Sequence, residues 1–202
     1  MGKPMDQTKP DCIVLAAGKS ERMGRWKMTL PWQDSTIIET AVAGALTVCG
    51  RAVVVAGYRA EEVLRLFREN PAVTTVVNED YESGMFSSVK RGCREVETDR
   101  FFLALGDMPS VDPAVYRKLI PYTAADVIIP KYQGKRGHPI LLGPGMADRI
   151  LTYGSGKTLH HVLSDVVTMS VPVEDMHIIH DIDTESDYKR ALPNSSERGG
   201  KQ

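Results

Sequence analysis

The sequence predicts an α/β fold in three layers, with helices on both faces of a mostly parallel central sheet. Five short apolar runs are rich in β-branched or aromatic residues, as buried strands are. They cover residues 12–15, 52–55, 75–77, 101–105 and 127–129. Amphipathic stretches separate them. Strands that alternate with helices favour a parallel sheet, and such a sheet gathers ligands at the carboxyl ends of its strands.

Capping residues delimit the first predicted helices. Thr36 and Glu39 have the spacing of a capping box, and Gly50 is placed as the stop of the same helix. Asp112 can cap a later helix, because its short side chain accepts from backbone N–H groups and Pro113 suits the first turn. These signals predict helices that begin after Thr36 and Asp112.

Three other helices are predicted along the chain. They are predicted over residues 60–70, near residues 146–151 and over residues 185–192. Residues 132–142 break the alternation, since two glycines flank a basic turn before an apolar run. We interpret this stretch as an inserted hairpin or lid.

Composition predicts one ordinary domain. The chain has 202 residues, of which 42% are hydrophobic and 25% charged, values typical of globular proteins. We expect a folded domain over residues 11–192 between a flexible leader, residues 1–10, and a flexible tail, residues 193–202. The three cysteines lack metal-ligand spacing and are interpreted as reduced core residues.

Charge and hydropathy exclude some classes of partner. A formal net charge of −1 gives no general positive field for nucleic acid. No apolar run approaches the ~20 residues that span a bilayer. The sequence therefore predicts a cytoplasmic protein that binds neither nucleic acid nor membrane.

A loop of small residues and cations follows the first strand. It reads Leu-Ala-Ala-Gly-Lys-Ser-Glu-Arg-Met-Gly-Arg-Trp-Lys over residues 15–27. Small residues let backbone N–H groups approach an anion, while Lys and Arg neutralise its charge. The three-glycine dinucleotide fingerprint is absent, and the Gly-Lys-Thr at residues 156–158 fails as a Walker loop because Leu151 replaces its first glycine.

This loop, followed by Leu-Pro-Trp at residues 30–32, resembles the molybdenum-cofactor nucleotidyltransferases of the MobA-like NTP transferase family, in particular their cytidylyltransferase branch. The resemblance extends over residues 11–192. It implies a Rossmann-like nucleotidyltransferase fold. It also implies that Arg22 holds phosphates, that Lys27 stabilises the α-phosphate, and that the loop binds the nucleotide through Leu15, Ala16, Ala17, Gly18 and Ser20.

Carboxylates in two segments, one at a strand end and one before the last helix, are candidate ligands for Mg²⁺, which takes one or two protein carboxylates and completes its shell with phosphates and water. Asp107 follows the fourth strand in a Gly-Asp-Met-Pro segment, where the family keeps its metal carboxylate. Alternation places Asp181 and Asp183 on one face of a later segment. The family favours Asp183 as the second ligand; alternatively, Asp183 or Thr184 caps the last helix.

Two further segments complete the resemblance. Residues 78–88 match the family's Asn-x-x-x-x-x-Gly-Met-x-x-Ser pattern beside the nucleotide base, which implies contacts from Asn78, Gly84, Ser87 and Ser88. Alternatively, or in addition, Ser83 or Ser87 caps a helix. A Gly-His-Pro segment at residues 137–139 implies that His138 contacts the acceptor.

The resemblance implies an enzyme that transfers CMP from CTP to the phosphate of molybdopterin, with Lys27, Arg22 and Asp107 catalytic and Mg²⁺ held by Asp107 and Asp183. Ala17 and Ser20 stand where the guanylyltransferase branch has glycine, which favours CTP over GTP. The alternatives are a guanylyltransferase, a sugar-phosphate or polyol-phosphate cytidylyltransferase, or a noncatalytic nucleotide-binding assembly factor. A molybdoenzyme or its chaperone is a further expected partner.

Overall fold

The computed structural model describes residues 9–154 and 156–192. Its ten strands are β1 Asp11–Ala16, β2 Pro31–Trp32, β3 Ser35–Thr36, β4 Arg51–Ala56, β5 Val73–Val77, β6 Phe101–Leu105, β7 Val127–Tyr132, β8 Lys135–Arg136, β9 Ile140–Leu142 and β10 Thr168–Pro172. Its seven α-helices are α1 Ile37–Leu46, α2 Ala60–Phe67, α3 Met85–Cys93, α4 Pro113–Leu119, α5 Met146–Thr152, α6 Leu159–Ser164 and α7 Glu185–Ala191. The leader through residue 8 and the tail from residue 193 lie outside the described residues.

The central sheet has the strand order β10-β7-β9-β6-β1-β4-β5, and β8 pairs with β7 at the side. Strand β1 is parallel to both β4 and β6, β4 is parallel to β5, and β10 is parallel to β7. Only β8 and β9 run antiparallel to their neighbours in the sheet that the described residues form. The predicted mostly parallel α/β sheet is confirmed.

Side chains alternate between two core layers along β1. Cys12 and Val14 face one layer and Ile13 and Leu15 the other, because successive residues of a strand point to opposite faces. The first layer packs against α1, α2 and α4, and the second against α3, α5 and α6. The three layers predicted from the sequence are therefore present.

Helix α1 begins as its sequence predicts. The Thr36 hydroxyl accepts from the Glu39 backbone N–H, and the Glu39 carboxylate accepts from the Thr36 N–H. Asp112 caps α4 by accepting from the Ala114 N–H at 2.7 Å. The predicted stop at Gly50 is wrong: α1 already ends at Leu46, and the Gly50 N–H donates to the Pro10 carbonyl instead.

The stretch over residues 132–142 is a hairpin only in part. Strand β8 pairs antiparallel with β7, which confirms the hairpin. Ile140–Leu142, however, is the buried strand β9 between β6 and β7, not part of a lid. An apolar triplet after a turn is compatible with either a buried strand or a lid. The triplet forms a strand because it fits between β6 and β7 in the sheet.

Some elements were not predicted, because the sequence patterns that indicate them are too short. These are the β2–β3 hairpin, strand β10 and helix α6. Helix α2 ends at Phe67, three residues before its predicted end. All three cysteines are buried and unpaired, as predicted for core residues, and burial raises the pKa of Cys93 to about 12. In the described part of the chain, no helix is long and apolar enough to cross a membrane.

Candidate nucleotide and metal site

A cleft of about 630 Å³ lies at the carboxyl ends of β1 and β6. It is lined by the loop after β1, by the start of α3 with the turn before it, and by acidic residues from two further segments. Its lining includes most of the predicted loop and metal residues and one predicted base-side residue: Leu15, Ala17, Gly18, Ser20, Arg22, Lys27, Asp107, Asp181 and Asp183, and Ser88. The topology thus brings together side chains from four separate segments.

The loop after β1 is held in a tight curve. Ser20 has φ 58° and Gly24 φ 70°, on either side of a single 3₁₀ turn, Glu21–Met23. The Ser20 hydroxyl accepts from the Lys27 N–H at 3.2 Å, so the loop closes on itself. Gly18 is exposed and open, because a Cβ on it would meet nothing within 4 Å, whereas Ala16 is fully buried in the sheet.

Lys27 lines the cleft and is buried, with 6% of its surface exposed. Its Nζ is 2.7 Å from Asp107 Oδ2 and 2.8 Å from Asp183 Oδ1. Burial alone would lower the pKa of Lys27, but the two carboxylates outweigh it and raise that pKa. Lys27 is therefore a fixed positive charge between two carboxylates.

Asp107, Asp181 and Asp183 form an acidic group whose ligand atoms all lie within 4.8 Å of one another. Asp107 Oδ1 is buried and has no hydrogen-bond partner among the described residues. A buried carboxylate oxygen without a partner is costly, and a cation would satisfy it. The three carboxylates therefore fit a divalent metal ion that prefers oxygen ligands.

The two later carboxylates differ in environment. Burial and the neighbouring Asp183 raise the pKa of Asp181. Burial acts the same way on Asp183, but hydrogen bonding and charge from Lys27, with the charge of Arg22, lower the pKa of Asp183 overall. Of these two carboxylates, Asp183 is thus the one that stays ionised more readily.

The alternative role as a helix cap belongs to Thr184. Its hydroxyl accepts from the Asp187 N–H at 3.1 Å, and the Asp187 carboxylate accepts from the Thr184 N–H at 2.8 Å. This capping box starts α7 and leaves the Asp183 side chain to pair with Lys27 and Arg22.

The predicted base-side residues form a connected support. The Asn78 amide is buried and donates to the hydroxyls of Ser87 and Ser88, at 2.8 and 3.0 Å. Ser88 lines the cleft, whereas Asn78, Gly84 and Ser87 are not among its lining residues. The Ser87 hydroxyl is near the carbonyls of Asp80 and Gly84, each at 2.8 Å, so it also braces the start of α3.

His138 does not line the cleft. Its ring Nδ1 is 3.3 Å from the Leu103 carbonyl oxygen in β6. Burial lowers the pKa of His138, which favours the neutral ring. The structure thus places this side chain against β6, outside the lining of the cleft.

The prediction overlooked several residues that line the cleft. Lys19 pairs with Glu82 across the cleft and lies over the Tyr81 ring, with Nζ 5.8 Å from its centroid. Met85 also lines this side and is 62% exposed. These residues lie within segments that the sequence singled out, but only the fold shows that Lys19 and Glu82 face each other.

Fold and site together define a class: an α/β protein with a phosphate-type loop and an acidic metal-type cluster at the carboxyl edge of its sheet, as in nucleotidyltransferases. The model of the MobA-like NTP transferase domain matches residues 12–170. The chain belongs to the MobA-like NTP transferase family, and hence to the nucleotidyltransferases.

Relatives with curated names carry different activities. The chain is 36% identical over 178 residues to a molybdenum cofactor cytidylyltransferase of Escherichia coli K12, covering 88% of this chain and 93% of that protein. It is 31% identical over 155 residues to a nicotine blue oxidoreductase of Paenarthrobacter nicotinovorans, covering 71% and 76%. Family membership alone therefore does not assign the substrate.

Solved structures share the fold. A Mycobacterium tuberculosis H37Rv protein superposes with a TM-score of 0.80 at 26% identity, covering 93% of this chain and 99% of that one. A nucleotidyl transferase from Methanothermobacter gives a TM-score of 0.77 at 27% identity, covering 90% and 95%.

Proposed function

We propose that this protein transfers CMP from CTP to the phosphate of molybdopterin or the molybdenum cofactor, with release of pyrophosphate. The observation that carries the proposal is the position of Lys27 between Asp107 and Asp183, in a cleft that is also lined by the loop after β1. A cation and a metal-type acidic cluster lie together there. Phosphoryl chemistry needs this pairing, because charge develops on the oxygens around the attacked phosphorus.

In the proposed step, an oxygen of the acceptor phosphate attacks the α-phosphorus of CTP in line. A new P–O bond forms as the bond between that phosphorus and the bridging oxygen breaks, and pyrophosphate leaves with the bonding electrons. The acceptor is already an anion near neutral pH, so alignment and charge neutralisation matter more than a general base. Lys27 and Arg22 supply positive charge for the triphosphate.

We assign the metal to Asp107 and Asp183, with Asp181 as their neighbour, and propose Mg²⁺ as the ion. The unpartnered Asp107 oxygen and the lowered pKa of Asp183 support this assignment. Bound there, Mg²⁺ would neutralise phosphate charge and orient the triphosphate. Arg22 and Lys27 both pair with Asp183. We propose that these two cations contact phosphate oxygens when the triphosphate binds.

The nucleotide-binding set is proposed in two groups. The loop group comprises Leu15, Ala16, Ala17, Gly18 and Ser20, and the base-side group comprises Asn78, Gly84, Ser87 and Ser88. Within these groups, the residues that line the cleft are Leu15, Ala17, Gly18, Ser20 and Ser88, while Asn78 would act by fixing the Ser88 hydroxyl. We assign CTP instead of GTP as the donor because the chain is 36% identical to the cytidylyltransferase relative and 26% identical to a probable guanylyltransferase of Bacillus cereus. We expect the reaction in the cytoplasm, with a molybdoenzyme or its chaperone receiving the product.

The test incubates the protein with Mg²⁺, molybdopterin and either CTP or GTP, and measures pyrophosphate together with the linked product by mass spectrometry. D107N is compared with D148N, a matched control in the exposed first turn of α5. We expect CTP-dependent product from the wild type and D148N, and almost none from D107N. Product from GTP alone would overturn the base assignment, and nucleotide binding without any product would indicate a different acceptor or a noncatalytic role.

A further inference from the structure

The Gly-His-Pro segment at residues 137–139 directly precedes β9, the antiparallel strand between β6 and β7. The Gly137 N–H donates to the Pro130 carbonyl of β7 at 3.0 Å. The segment is thereby fixed to the sheet, and it lies outside the lining of the cleft. Its contacts connect it to the two segments that carry the acidic group.

His138 bonds to two different segments. Its backbone N–H donates to the Ile178 carbonyl at 2.9 Å. Its ring Nδ1 lies 3.3 Å from the Leu103 carbonyl oxygen, and because a carbonyl only accepts, Nδ1 carries the proton and donates. Burial favours the neutral ring by lowering the pKa of His138. One residue therefore connects β6 to the 3₁₀ turn Met176–Ile179.

The two connected segments carry the acidic group. Leu103 belongs to β6, and Asp107 follows the end of that strand. Ile178 belongs to the turn that leads into Asp181 and Asp183. A second bond joins the same two segments further along, because the Ile182 N–H donates to the Asp107 carbonyl at 3.0 Å. The carboxylates are thus held between two hydrogen-bonded connections, here called ties: the first runs through His138, and the second is the bond from Ile182 to Asp107.

Gly137 allows the first tie to form. A Cβ at this position would lie 2.0 Å from the Ile178 carbonyl oxygen and 2.6 Å from its carbon. These are backbone atoms, so a side chain at residue 137 would push the 3₁₀ turn away from β6. The close approach thus requires glycine for its size.

We propose that Gly137 and His138 are positioning residues, which hold the Met176–Ile179 turn against β6 and thereby set the spacing of Asp107 and Asp183. This role rests on the proposed function only in assigning those carboxylates to a metal. This role differs from a contact with the acceptor, because His138 positions the carboxylates and does not touch the acceptor.

The first test measures amide hydrogen exchange in the free protein by mass spectrometry. H138L keeps apolar volume but removes the ring donor, H138N keeps a donor, and H160L changes an exposed histidine of α6. Because hydrogen bonds protect amides from local opening, we expect exchange over residues 176–184 to be about tenfold faster in H138L and near wild type in H138N and H160L. Unchanged exchange in H138L would overturn the proposal.

The second test measures Mn²⁺ affinity by calorimetry, which needs neither nucleotide nor acceptor. Loss of a residue that orients metal ligands commonly weakens binding by about 10-fold to 100-fold. We expect at least about tenfold weaker binding in H138L and G137A, and little change in H138N. G44A is the glycine control, since a Cβ there meets only the Val111 carbonyl oxygen at 4.0 Å.

The outcomes separate the two proposals. Faster exchange in H138L with no Mn²⁺ binding by the wild type would support the tie and overturn the metal assignment. Normal Mn²⁺ affinity in both H138L and G137A would overturn positioning. If H138L does not fold, G137A and H138N decide the question by the same two measurements, with loss in G137A and retention in H138N as the expected pair.

Discussion

Lys27 Nζ lies 2.8 Å from Asp183 Oδ1, although the two residues are 156 positions apart in the chain. The same nitrogen lies 2.7 Å from Asp107 Oδ2. The ammonium therefore compensates two carboxylates that would otherwise repel each other. Loop, β6 and the segment before α7 are joined through this single buried charge.

Replacing Lys27 should lower both stability and turnover. K27M keeps an unbranched side chain but leaves Asp107 and Asp183 facing each other. Loss of one partner of a buried pair costs about 3–5 kcal/mol, and we expect roughly 2 kcal/mol here because both carboxylates retain some solvent. Turnover should fall by about 10² or more. Thermal unfolding and pyrophosphate release measure the two effects.

K118M, which changes an exposed lysine of α4, is the control. A divalent ion should raise the melting temperature of K27M more than that of the wild type, since the ion replaces a missing positive charge. Wild-type turnover in K27M would remove Lys27 from the proposed chemistry.

The two later aspartates should differ as metal ligands. D183N removes the ionised carboxylate that pairs with Lys27 and Arg22, whereas Asp181 is exposed and its pKa is raised. We expect D183N to weaken Mn²⁺ binding by about tenfold or more and D181N by about threefold. Calorimetric titration decides this order, and a larger effect in D181N would assign the second ligand to Asp181.

Gly57 should prove necessary for nucleotide affinity. A Cβ there would lie 2.7 Å from Tyr81 Cβ and 2.8 Å from Ala17 Cβ, closer than real carbon contacts, and both neighbours line the cleft. G57A should raise the KM for CTP by about tenfold, because displaced binding groups lose alignment. G44A again serves as the control. Steady-state kinetics with an unchanged KM would show that the cleft tolerates the shift.

Protonation of Asp187 at acidic pH should lower the stability of the folded protein. Its hydrogen bonds with Thr184, then with Arg190, lower the pKa of this carboxyl to about 2, below the value of about 3.9 in an unfolded chain. The stabilisation is therefore complete above pH ~4 and is lost as pH falls toward 2. Melting temperatures over this range should decline less steeply in D187N than in the wild type. D148N, at the start of α5, should follow the wild-type curve.

Much of the fold was predictable because its signals are local. The alternating strands and helices, the Thr36 and Asp112 caps and the core cysteines follow from spacing and side-chain chemistry over a few residues. Strand β9 was misassigned because an apolar triplet carries no information about its neighbours. The sequence also missed β10 and α6 for lack of length.

The sequence by itself determined the chemical types of the site: a loop of small residues with Arg22 and Lys27, an aspartate after a strand end, and two aspartates before the last helix. Only the tertiary structure decided which of these groups meet. It joined Lys27 to Asp107 and Asp183, turned His138 toward Leu103 instead of the cleft, and set Lys19 opposite Glu82. The physical reason is that composition and spacing act along the chain, whereas distances between distant segments depend on sheet order and packing.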